Sequence, residues 1–252
     1  MDLNPIVRAL SVFLKKRVKA LLIGGQACIY YGAAEFSRDV DYAVLVDPEN
    51  LLKLKEALDE LGAERIFVPD LSEGVLKKGH ACHFRFPKND PRGARIDVLG
   101  KMRGVDDFSA LWDRKTEISI PEIGKIPVIG LPDLVQSKKT QRDKDWPMIR
   151  RLVEADYLKA HDPPTTEQVR FWLKEGRTPD LLITLKKRFP TQTDELTDQR
   201  PLLAQAHPGR ADILHGLLKE EEERERKLDE EYWAPLRKEL QIWRQERSVH
   251  PG

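Results

Sequence analysis

Leu21-Leu22-Ile23-Gly24-Gly25-Gln26-Ala27-Cys28, followed after a short gap by Ser37-Arg38-Asp39-Val40-Asp41-Tyr42-Ala43-Val44, alternates buried strand with turn and helix in a way that constrains the architecture of the whole N-terminal half. Lys19 to Ile23 reads as a short buried strand that Gly24-Gly25 ends. Gln26 to Tyr31 reads as a short helix closed by Gly32, and Asp39 to Val46 alternates as a second strand. Side chains on a strand alternate with period two, so Asp39 and Asp41 fall on the same side of the sheet. Paired carboxylates suit hard divalent cations, and magnesium completes its octahedron with water and substrate phosphate. The bland alternative is a solvated acidic pair at a strand end. A glycine pair between strand and helix lets backbone approach a phosphate beside unpaired helix N–H groups, or is a plain tight turn.

Outward from this stretch, Pro5 to Lys16 reads as an amphipathic helix with Ile6, Leu10, Phe13 and Leu14 on one face. Pro48 opens a helix through Leu61. Strands are expected at Arg65 to Val68, His80 to Phe86 and Arg95 to Leu99, with Gly, Pro, Asn and Asp clusters between them as turns. Ile118 to Ile120 and Ile126 to Ile129 suggest a hairpin, and Pro132 starts a helix through about Lys139. From Asp145 the pattern is helical, with Ile149, Leu152, Val153 and Tyr157 as its apolar face. Pro163-Pro164 is the candidate linker. Thr165 to Glu175, Pro179 to Arg188, and Arg210 to Arg247 with an interruption near Pro235 read as further helices. The expected architecture is α/β (α+β): a mixed sheet flanked by helices over residues 1–142, then a helical C-terminal region over 143–252.

Composition narrows the function classes. The chain has 252 residues, 40% of them apolar, enough for a substantial core. The formal net charge of +1 means that any basic surface is local. Two segments, Arg85 to Arg103 and Lys138 to Arg151, carry a basic excess with Phe84, Phe86 and Trp146 close by, which is compatible with an RNA or DNA partner and equally with ordinary surface charge. No apolar run is long enough for a membrane span or a signal core, and a cytoplasmic protein with no membrane partner is expected. The two cysteines, Cys28 and Cys82, lie in apolar stretches as reduced thiols. His80-Ala81-Cys82-His83 contains three zinc-ligand types, but alternation sends them to opposite faces and no second cluster follows.

The order strand, Gly24-Gly25, short helix, Asp39-Val40-Asp41 resembles the signature of the nucleotidyltransferase (polymerase-beta-like) superfamily. Arg95-Ile96-Asp97-Val98-Leu99 offers the third carboxylate that the superfamily carries on a later strand; alone, Asp97 is a strand-end residue. Leu131 to Lys139 followed by Arg142-Asp143-Lys144-Asp145 resembles the lysine helix and Arg-x-Lys-Asp segment of bacterial nucleotidyltransferases related to AbiEii-type toxins. Asp145 also suits a local role as N-cap before Trp146-Pro147. The likeness spans about Leu21 to Leu152. It departs at Glu35, where many relatives have arginine, with Arg38 as a substitute.

The resemblance implies a transferase that moves a nucleoside monophosphate from a nucleoside triphosphate (NTP) to an acceptor hydroxyl and releases pyrophosphate. It implies two magnesium ions (Mg2+) held by Asp39, Asp41 and Asp97, with Asp97 also helping to deprotonate the acceptor. Gly24, Gly25, Ser37 and Arg38 would contact the nucleotide, and Lys138, more than Lys139, would neutralise the leaving group. The acceptor would be an RNA or tRNA end, or a small hydroxylated molecule as in antibiotic-modifying relatives. Two other readings stay open: a nucleotide-binding regulatory module without turnover, and a toxin–antitoxin component with a protein partner on the C-terminal helices.

Overall fold

The computed structural model describes residues 4–34, 36–87 and 93–249, and these divide into two compact units. The first comprises residues 1–30, 34–137 and 232–252; the second comprises 31–33 and 138–231.

In the first unit a seven-stranded mixed sheet runs in the order β3-β4-β5-β2-β1-β7-β6. Its strands are β1 (Ala20–Ile23), β2 (Val40–Val44), β3 (Glu64–Arg65), β4 (Ala81–Arg85), β5 (Arg95–Leu99), β6 (Thr116–Ile120) and β7 (Gly124–Val128). The β2–β5 and β1–β7 pairs are parallel and the others antiparallel. Leu21, Leu22, Val40, Val44, Ile96, Val98 and Val128 are buried at the centre. Each such aliphatic side chain contributes about 1.5–3 kcal/mol on leaving water.

Helices α1 (Pro5–Lys15) and α3 (Pro48–Leu61) pack on each other, and Ala9, Leu10 and Phe13 of α1 and Leu54 and Leu61 of α3 are buried. Their starts are set locally: Asn4 Oδ1 accepts from Ile6 N–H, and Asp47 Oδ1 accepts from Asn50 N–H at 2.7 Å, each just before a proline at the first helical position. Asn50, itself buried, bonds the backbone of Lys19 and Leu45, tying α3 to the far ends of β1 and β2. The remaining helices of this unit are α2 (Gly24–Tyr30), α4 (Glu73–Lys78), α5 (Phe108–Asp113) and α6 (Leu131–Ser137).

The second unit is helical: α7 (Asp145–Lys159), α8 (Thr166–Glu175), α9 (Pro179–Arg188), α10 (Pro190–Thr197), two short 3-10 turns, and α11 (Ala211–Val249) up to Glu231. Ile149, Leu152, Val153, Val169, Trp172, Leu182, Leu185 and Leu203 form its core, and Thr165 with Gln168 makes a reciprocal capping box on α8.

The sequence expectation of a mixed sheet flanked by helices, with helices at the C-terminal side, is what the chain forms. Three local expectations are corrected. Gly24-Gly25 does not sit between strand and helix but opens α2 itself, Gly24 taking the left-handed φ of +64° that a strand-to-helix reversal needs and glycine allows. Helix α6 stops at Ser137, leaving Lys138 and Lys139 beyond it. Helix α11 runs unbroken through Pro235, because the lost N–H deprives one carbonyl only and the neighbouring bonds carry the turn. Among the described residues no helix is long and apolar enough to cross a membrane.

Candidate active site

Alternation on the central strands sorts core from chemistry. On β2, β5 and β4 the residues Val40, Tyr42, Ile96, Val98, Cys82 and Phe84 are buried, while Asp41, Arg95, Asp97, His83 and Arg85 are half-buried on the opposite face. Register then fixes neighbours: Asp41 pairs with Asp97 across the parallel β2–β5 ladder, and Asp97 pairs with His83 across β4–β5. Three polar side chains thus form a row on adjacent strands, each about 4.8 Å from the next strand.

Asp39 lies one residue before β2, so the Asp-x-Asp pair straddles the start of the strand rather than lying within it. Its carboxylate reaches the same face nonetheless. Asp39 Oδ2 accepts from the Arg95 guanidinium at 2.6 Å and Oδ1 from the Arg95 backbone N–H at 3.2 Å. The hydrogen bond to Asp39 and the fields of Asp39, Asp97 and Asp41 hold Arg95 in its charged form, above its ordinary pKa. Asp39 thus pairs directly with Arg95, and the fields of Asp41 and Asp97 reach the same guanidinium. His83 Nδ1 donates to Asp97 Oδ1 at 2.8 Å.

The glycines and Ser37 belong to this arrangement. A Cβ at Gly24 would collide with the Asp41 carboxylate, and one at Gly25 with the Ser37 hydroxyl. Ser37 Oγ donates to the Asp39 carbonyl at 3.2 Å, and buried Gln26 donates to the Ser37 carbonyl at 2.9 Å, so α2 braces the approach to Asp39. Arg38 is exposed, and so is the adjacent Phe36, at 77%. Glu35 lies outside the described residues.

Among the described residues, no three Asp, Glu, His or Cys side chains sit close enough to hold one metal ion. The reason is local: Arg95 draws Asp39 and His83 draws Asp97. The donor chemistry nevertheless fits a hard cation, since Asp39, Asp41 and Asp97 are half-buried carboxylates on one side of the sheet. His80, Cys82 and His83 take separate partners: Glu239 at 2.7 Å, the Asp70 carbonyl, and Asp97.

Lys138 belongs to the second unit, where its ammonium donates to Asp145 Oδ1 at 3.1 Å. Asp145 is the first residue of α7 and not its cap; it is buried and also accepts from Thr140 at 2.6 Å and Arg142 at 2.8 Å. Burial opposes its charge, but Lys138, Thr140 and Arg142 outweigh burial and hold the carboxyl below the usual range. Lys139 turns to Glu175 at 2.9 Å.

Two residues that matter here were not selected from the sequence: Arg95, which neutralises Asp39, and His83, which orients Asp97. The period-two match of His83 with Arg85, and of Arg95 with Asp97, was the available signal. The aromatics near the basic segments are corrected too: Phe84, Phe86 and Trp146 are buried, because Phe84 and Phe86 share the parity of core-facing Cys82 and Trp146 is sealed in the second unit.

No protein-family model matches the sequence, and no curated protein matches it. Three solved structures resemble the chain in backbone. One is the lincosamide antibiotic adenylyltransferase LnuA in its lincomycin-bound form: 16% identity over 59% of this chain and 94% of that one, TM-score 0.42. A second, from H. pylori and assigned as a nucleotidyltransferase, has 14% identity over 90% of this chain and 94% of its own, TM-score 0.40. The third, the antibiotic-resistance factor ANT(2'')-Ia, has 13% identity over 77% of this chain and 94% of its own, TM-score 0.36.

Proposed function

We propose that the chain is a nucleotidyltransferase of the polymerase-beta-like type, which moves a nucleoside monophosphate from an NTP to an acceptor hydroxyl. The observation that carries this reading is the register that sets Asp41 beside Asp97 on one sheet face, with Asp39 bound to Arg95 of the strand that carries Asp97, beside a glycine pair whose Cβ positions are taken by Asp41 and Ser37. Three carboxylates on one face repel one another unless positive charge is supplied, which an NTP–magnesium complex would bring. Asp39 and Asp41 would hold magnesium and Asp97 would share it. When bound, magnesium supplies charge neutralisation on the triphosphate oxygens.

The chain's own residues account for the rest. Gly24 and Gly25 leave backbone accessible to the β and γ phosphates, and Ser37 and Arg38 add a hydroxyl and a guanidinium on that side. Asp97, held in orientation by His83, takes the proton of the attacking hydroxyl as its oxygen bonds the α-phosphorus. The bond from the α-phosphorus to the bridging oxygen breaks, and pyrophosphate leaves with that electron pair. Lys138, the residue expected to neutralise the leaving group, is held by Asp145 within the second unit, and Asp145 keeps Thr140 and Arg142 as further partners.

The test is incubation with each radiolabelled NTP, magnesium, and either total tRNA or a panel of hydroxylated small molecules. The wild type is expected to transfer label and Asp39→Ala/Asp41→Ala to transfer none. Transfer that survives the double substitution overturns the assignment, and nucleotide binding without transfer to any acceptor favours a regulatory module.

A further inference from the structure

The geometry points to a second binding surface in the first unit, a groove that takes the phosphates of a single-stranded nucleic acid acceptor beside the carboxylate face. The groove is open, has a volume of about 400 Å3 and is lined by Arg65, Ile66, Phe67 and Val68 and by Arg244 and Arg247 of α11. Arg65 is paired with Asp70; Arg244 and Arg247 make no ion pair with a described residue and are exposed. Burial first, and then the nearby Arg247 cation, pull the Arg65 pKa below its ordinary value, so two guanidiniums repel across the groove. An anion between them relieves that repulsion.

The occupant follows from what accompanies the charge. Phe67 is 47% exposed in the groove wall, a flat apolar ring among guanidiniums that themselves match phosphate and stack on bases. Positive charge tracking a backbone, with a ring for bases to stack on, is how single strands are held without sequence preference. An acidic peptide would use the charge but not the ring. The location also fits an acceptor. The Phe67 ring meets His83 edge-on at 5.9 Å, and His83 holds Asp97. β3, which carries Arg65, is two strands from β5, on the order of 10 Å, a short reach for an oligonucleotide. Use of the bound strand as acceptor rests on the transferase reading; its binding does not.

The experiment is an anisotropy titration of labelled single-stranded RNA with the full chain, without NTP or magnesium, over a range of salt concentrations. The wild type is expected to bind with a salt-dependent affinity. Arg244→Ala/Arg247→Ala should bind more weakly and lose about 1.4 from the slope of log affinity against log salt, roughly 0.7 for each phosphate contact to a single strand. Arg244→Lys/Arg247→Lys should keep most of the slope, whereas Phe67→Ala should lose roughly tenfold in affinity with the slope unchanged. No RNA binding, an unchanged slope in the alanine pair, or arginine-dependent binding of polyglutamate in place of RNA overturns the groove. Label transfer to a small molecule with no RNA binding sinks the groove and leaves the transferase reading. RNA held by the arginines, with no transfer of label to anything, does the reverse.

Discussion

Two regions of this chain are dense in charge, and they handle it in opposite ways. In the second unit Lys139, Glu175, Arg177, Glu221 and Arg200 form a sealed chain of ion pairs: Lys139–Glu175 at 2.9 Å, Arg177–Glu221 at 2.9 Å and Arg200–Glu221 at 2.8 Å. Arg200 also donates to the carbonyls of Leu173 and Gly176, and Arg177 lies over the Trp146 ring at 5.3 Å. In the first unit the carboxylate face is half-open, and its partners Arg95 and His83 are themselves exposed enough to move. Charges that are buried and bonded to backbone specify a packing; charges that are half-solvated and held by exchangeable partners can meet a ligand. The contrast separates a cluster that specifies packing from one that is free to meet a ligand, the cluster proposed above as the active site.

The largest effect should come from breaking the sealed cluster. Arg200→Ala leaves Glu221 with Arg177 alone and strands two carbonyls in a poorly solvated place, a loss of about 3–5 kcal/mol. Thermal or urea denaturation should show a drop of that order. A shift below about 1 kcal/mol would mean that water reaches the cluster and that the comparison is drawn too sharply.

A smaller stability effect, with a larger functional one, is expected at Gly24→Ala. The positive φ costs about 1–2 kcal/mol for an L-residue, and the added methyl pushes on the Asp41 carboxylate. Transfer activity should fall at least on the order of tenfold in variant protein that is still folded by circular dichroism, because a small displacement of a reacting group is costly. Gly25→Ala has ordinary backbone and meets only the Ser37 side chain, so it should be the milder of the two in both measurements.

How far these two clusters could be read in advance differs, and the reason is range. Strand β5, helices α3, α8 and α9, and the start of α7 follow from local pattern: apolar periodicity, Asp47 before Pro48, Thr165 before the α8 face. The placement of Asp39, Asp41 and Asp97 on one side of the sheet was legible because they sit at fixed spacing from glycines and aliphatics. The short helices α4, α5 and α10 were not, since six to eight residues hold too few periods and their caps, Ser72 and Asp107, look like turn residues. The pairings of Asp39 with Arg95, Asp97 with His83, and Glu221 with Arg200 depend on strand register or helix packing between segments 14 to 56 residues apart. Nothing in local spacing announces them. Alternation did contain one overlooked signal: the parity that buries Phe84 and Phe86 is the parity that exposes His83 and Arg85.

The mildest way to sharpen the comparison is pH. Burial works against the charge of Glu221, but Arg200 and Arg177 outweigh it and hold its carboxyl below the usual range; Asp145 is held down in the same sense. A carboxyl whose folded pKa lies below its unfolded value adds stability that is complete above the unfolded value, near 4 for carboxylates, and is lost as pH falls through the folded one. The second unit should therefore soften on acidification below about pH 4. Glu221→Gln isolates the effect. At neutral pH it should melt well below the wild type, since Arg200 and Arg177 lose their charged partner. As pH falls and the wild-type carboxyl takes up a proton, the two proteins become alike in charge and the gap between their melting temperatures should close. A gap that stays constant down to acid pH would show that Glu221 acts by shape and neutral hydrogen bonding, and that the sealed cluster is held by packing more than by charge.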